Sequence, residues 1–104
     1  MSWLILGASG VLESVWALAL SRSDGFSRPV PTAVFVVALV LSMVGLGLAL
    51  RELPVGTAYA VWVGIGASLT AAVSMSTGQE AATLARLLCV VAIVGGVAGL
   101  KVLA

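Results

Sequence analysis

The sequence predicts an all-α integral membrane protein with four transmembrane helices, and two observations carry that prediction. The first is composition: of 104 residues, 62% are hydrophobic and only 9% charged, with a mean hydropathy of +1.24. A soluble domain this short has a high ratio of surface to volume and needs far more polar surface than this. Disordered chains are poor in apolar residues, so the same figures exclude disorder. The second observation is that the apolar residues fall into four runs, roughly 3–20, 30–50, 55–76 and 84–103. Each approaches or exceeds the ~20 residues that a helix needs to cross a hydrocarbon core of ~30 Å. Residues 1–104 thus read as a single four-helix transmembrane domain, with no soluble or nucleotide-binding module.

The first run has no basic segment before it, carries Glu13 in its middle and is followed by three more spans, so it reads as a retained helix and not a signal peptide. The connection 21-SRSDGFSRPVP-31 combines charge with Gly25, Pro29 and Pro31, which marks a loop. The second connection, 51-RELP-54, is very short and places Pro54 at the start of the third helix, where its missing N–H matters least. The third, around 77-TGQEAATLAR-86, is polar and small. Short connections make successive helices antiparallel neighbours, so a compact four-helix bundle is expected. Within the fourth run, Gly95 and Gly99 form a GxxxG pattern, a signal for close helix or dimer packing.

Loop charge sets the orientation of such a chain. Arg22, Arg28 and Arg86 fall on one side, Arg51 and Lys101 on the other. Three against two is nearly balanced, a bias small enough to allow insertion in both orientations. Four helices hardly enclose a pathway alone, so an antiparallel dual-topology homodimer is expected, its two copies acting as inverted repeats. A topology fixed by a partner chain is the alternative. The net charge of +1 gives no reason to expect a nucleic-acid partner. A lone Cys89 and the absence of histidine leave no disulfide framework and no metal or cofactor site within the chain. The reading is of a transporter and not an enzyme.

Glu13 is the one acidic side chain well inside a span; Asp24, Glu52 and Glu80 lie in loops. A charge at the centre of a membrane helix costs on the order of 3 kcal/mol, and intramembrane acids mark ion or proton pathways. The bland alternative is a protonated glutamate that ties helices together by hydrogen bonds. A single carboxylate holds a proton or a cation, and each expels the other. If the site faces the two sides alternately, that competition is a proton–cation antiport.

Gly10, Glu13, Trp16 and Ala17 share a helix face at spacings of three and four, with Gly10 expected to leave room beside the carboxylate. Trp3 suits an interfacial aromatic belt, whereas Trp16 lies too deep for one. Tyr59 and Trp62 are three apart on the third helix, where a belt and a cavity wall that attracts a cation are both open readings. Ser42 supplies a hydroxyl near the middle of the second helix, with a bond to its own preceding turn as the alternative. The residues alone lead to a small, oligomeric, proton-linked cation transporter.

Glu13 followed by Trp16, Gly25–Phe26, Pro31, Ser42, 53-LPVGTAYAVWVGIGA-67, Glu80 and 99-GLK-101 resemble the small multidrug resistance family over the whole chain. The resemblance implies an antiparallel dual-topology dimer in the bacterial plasma membrane, with Glu13 binding proton or substrate in exchange. It also implies a subtype: Trp16, Gly10, Ser42 and the closing Gly99–Leu100–Lys101 look like the guanidinium exporters and unlike the polyaromatic-cation exporters, which carry a small residue in place of Trp16. Ser42 would then hold the Glu13 carboxylate in place. The chemistry agrees, since guanidinium offers N–H donors that suit carboxylate oxygens, while a quaternary ammonium ion prefers a larger aromatic cage.

The chain departs from the family in 68-SLTAAVSMSTGQE-80, where relatives are bulkier, and at Ala81, where a proline is usual. The expected function is proton-coupled export of guanidinium and small substituted guanidinium ions. A broader exporter of quaternary ammonium or aromatic cations, one subunit of a heterodimer, and a membrane scaffold are the alternatives.

Overall fold

A computed structural model describes residues 1–103. The described residues form four helices and no strand: α1 (Ser2–Arg22), α2 (Pro29–Ala49), α3 (Val55–Ser76) and α4 (Leu84–Leu103). All four are long and apolar enough to cross a membrane. In hydrocarbon a backbone N–H or C=O finds no water, so a helix that satisfies its own polar groups is what such runs become. The chain is a multi-pass membrane protein.

The helix ends follow from local chemistry. α2 opens on Pro29, preceded by an extended Arg28, and α3 opens after Pro54 at φ −60° and ψ 140°. Proline's fixed φ suits a first turn, whose N–H groups have no intrahelical partner. α1 ends in a tight connection in which Asp24, Gly25 and Phe26 all have positive φ, at 50°, 68° and 71°. The fully buried Ser23 holds this turn: its hydroxyl donates to the Leu20 carbonyl at 2.8 Å and accepts the Phe26 N–H at 3.3 Å.

α1 packs along both α2 and α3, α2 barely touches α3, and the only helix that the α4 backbone lies against is α3. This corrects the expectation of a compact bundle. The molecule is a slab of 41 × 34 × 17 Å, and no described residue of α4 is buried. A short connection makes α4 antiparallel to α3 but does not fold it back over α1. The approach of α4 to α3 is close at one place, where a methyl group on Gly64 would collide with Val97 Cγ2.

The tightest packing lies toward one end. Leu6, Leu46, Ala49, Ala58, Val61 and Trp62 form the buried apolar cluster. These come from the start of α1, the end of α2 and the start of α3, the end where the second loop turns. The N-terminus is tied there as well, because the buried Ser2 hydroxyl donates to Glu52 Oε2. Long apolar side chains such as Val37, Val40, Val44, Leu88 and Val91 are exposed on α2 and α4, as suits surfaces that meet lipid.

Candidate functional site

Glu13 stands near the middle of α1, at the seam between α1 and α3. The glycine that receives its carboxylate is Gly66: a methyl group there would overlap the carboxylate itself and come within 2.9 Å of the Glu13 Cβ. Gly10, expected to provide that room, has a different neighbour. A methyl group on Gly10 would come within 2.8 Å of Ile65 Cγ2, so this glycine admits the Ile65 side chain. Gly66 follows Trp62 by four residues and lies on the same face of α3. That spacing is the one sequence signal that could have singled it out.

Glu13 Oε2 and Trp16 Nε1 are both shielded from solvent and have no hydrogen-bond partner within the chain. Leaving a buried polar group unsatisfied costs about 1–3 kcal/mol, more for a charged one. The two groups lie one helical turn apart on α1, and the chain's own atoms satisfy neither. Trp16 also packs edge-to-face on Phe35 of α2, with ring centroids 6.0 Å apart and planes at 70°.

Ser42 and Trp62 belong to a separate group that is hydrogen-bonded. The Ser42 hydroxyl, fully buried, donates to the Ser9 carbonyl of α1 at 2.7 Å and accepts the Trp62 indole N–H of α3 at 3.1 Å. One side chain thereby joins three helices. This corrects the expectation that Ser42 holds the Glu13 carboxylate, and the alternative of a bond to its own preceding turn is not met either. Its single proton goes to Ser9 because that carbonyl is brought against α2 where α1 crosses it.

Tyr59 stacks beside Trp62 at 5.8 Å with an interplanar angle of 37°. Its ring is more than half exposed while Trp62 is buried. Trp3 packs against the apolar cluster that includes Trp62, with Lys101 Nζ 5.8 Å from its ring centroid. Gly95 and Gly99 are not part of this site. Nothing in the chain lies within 4 Å of where their side chains would project. The hydroxyls of the unusual 68–81 segment are mostly bonded locally, as Thr70 is to the Gly66 carbonyl at 2.7 Å. Ser68 is buried with its hydroxyl unpartnered.

The fold defines a class: a small four-span membrane protein, with a glutamate near the middle of its first helix packed against a glycine of the third. A profile of the Small Multidrug Resistance protein family matches residues 1–94. The chain belongs to that family. It is 48% identical over 101 residues to a guanidinium exporter of Salmonella typhimurium strain LT2, covering 97% of this chain and 96% of the relative. It is 46% identical over 101 residues to guanidinium exporters of Yersinia pseudotuberculosis, covering 97% of both chains, and of Citrobacter freundii, covering 97% and 96%.

Proposed function

We propose that this protein is a proton-coupled antiporter that exports guanidinium and small substituted guanidinium ions across the bacterial plasma membrane. The observation that carries the reading is the Glu13 carboxylate at the α1–α3 seam, its Oε2 shielded from solvent and unpartnered, with the Trp16 N–H unpartnered one turn away. A carboxylate in that setting binds either a proton or a cation, and binding of one releases the other. A planar cation with several N–H donors suits it, because carboxylate oxygens accept such donors in pairs. The names carried by the relatives support the same substrate class.

The working unit in this reading is an antiparallel homodimer of two oppositely inserted copies. The near-balanced loop charge supports it, and so does α4, whose open flank presents Gly95 and Gly99 for close approach by a second helix. Two copies related in this way bring two Glu13 carboxylates toward one midplane site, and rocking of one copy against the other exposes it to each side in turn.

The test is uptake by proteoliposomes under an imposed proton gradient, with guanidinium and then tetramethylammonium as the ion. Guanidinium should move against proton flow, and Glu13→Gln should abolish that movement while helicity is kept. Transport of tetramethylammonium without guanidinium would sink the substrate assignment, and full coupled transport by Glu13→Gln would sink the mechanism.

A further inference from the structure

Three aromatic rings run in contact from the first loop to the candidate site. Phe26 packs on Phe35 at 5.8 Å with planes at 51°, and Phe35 meets the Trp16 indole edge-to-face at 6.0 Å. The loop end of this chain is fixed in an unusual way. A bulky residue rarely adopts positive φ, yet Phe26 sits at 71°, held there by the buried Ser23 hydroxyl. A strained position of this kind persists where the surroundings determine it, and it clusters at sites with a function. At the other end, the Trp16 N–H is buried and unpartnered, although a buried indole N–H usually finds a partner. Within the chain, the indole is therefore oriented by contact with its ring and not by a bond to its nitrogen.

We propose that Phe35, braced by Phe26, is a positioning residue that holds the Trp16 indole in one orientation beside Glu13 and thereby sets the size of cation the site accepts. The proposal rests on the antiporter reading for its consequence but not for its geometry. An edge-to-face contact favours one tilt of the indole over others. With Phe35 removed, the ring has a benzyl-sized space to turn into, and turning widens the site. Phe35 touches no substrate in this scheme and acts only through Trp16.

The experiment uses the full chain labelled with 5-fluorotryptophan, its three indole signals assigned by Trp→Phe variants. Phe35→Ala should shift and broaden the Trp16 signal and leave that of Trp3 in place, and Phe35→Tyr should restore it. In proteoliposomes, Phe35→Ala should raise uptake of tetraphenylphosphonium relative to guanidinium by about 5-fold, the scale of one aromatic pair. In a Trp16→Ala background the same change should have no further effect on that ratio. An unmoved Trp16 signal, or a ratio change of full size without Trp16, would overturn the proposal. If Phe35→Ala does not fold, Phe35→Leu keeps the bulk and loses the ring face, and is read in the same way. If the unsubstituted protein carries neither ion, the antiporter reading has failed, and the Trp16 signal alone decides the positioning role.

Discussion

Replacing Gly66 with alanine tests the seating of Glu13 directly. The added methyl group would overlap the carboxylate and would also lie 2.9 Å from the Glu13 Cβ. Turning the carboxylate away removes the first clash but not the second, because the Cβ is fixed to the α1 backbone. Carbon atoms rest at about 3.5–4.0 Å, so α1 and α3 must separate locally by about 0.6–1 Å. Overpacking of this kind costs typically about 1–3 kcal/mol, a factor of roughly 5 to 150 in an equilibrium constant. The assay is guanidinium uptake in proteoliposomes over a range of concentrations, with helicity and thermal unfolding followed in detergent. Gly66→Ala should weaken apparent affinity at least 5-fold with helix content unchanged. Gly47→Ala is the control, because nothing in the chain lies within 4 Å of its added methyl group. An unchanged affinity and unfolding temperature in Gly66→Ala would refute the placement of Glu13 against Gly66.

Ser42→Ala should destabilise the protein by about 1–3 kcal/mol, because it leaves the buried Trp62 N–H without an acceptor; thermal unfolding in detergent measures this, and no change would mean the bond is absent. Gly64→Ala should loosen α4 from α3 through its collision with Val97, and pairing it with Val97→Ala should reverse much of the loss, as read by protease sensitivity of the third loop. Glu80→Gln removes the exposed 2.8 Å ion pair with Arg86 and should change stability by less than about 1 kcal/mol. A larger shift in unfolding would show that this pair holds the third loop.

The four spans are legible in the sequence because lipid allows an apolar run of that length little other than a helix. Glu13 and Trp16 are legible for the opposite reason: each is costly or out of place where it stands, so each asks for an explanation. Ser42 and Trp62 could be picked out as polar groups in apolar helices, but not paired, since their bond depends on how α2 and α3 are set around α1. Gly66 was hidden among glycines of equal appearance. Whether a glycine makes room for a carboxylate or for an isoleucine depends on which side chain crosses it, and it is Gly66, not the expected Gly10, that receives the carboxylate. Phe35 reads as one more apolar residue until its ring is seen against Trp16. The separation of α4 from α1 is likewise a matter of tertiary packing, which loop length does not encode.

α4 buries none of its described residues within its own chain, and this makes its final environment a question of supply. Lipid tails and a second protein copy are rival solvents for the same flank, similar in polarity and different in shape. Which one covers Gly95 and Gly99 is therefore set by the ratio of protein to lipid as well as by the residues. If the working unit is a dimer, activity per molecule should fall as the protein is diluted into a larger membrane, and the cell's level of expression becomes a control on transport that no single chain contains.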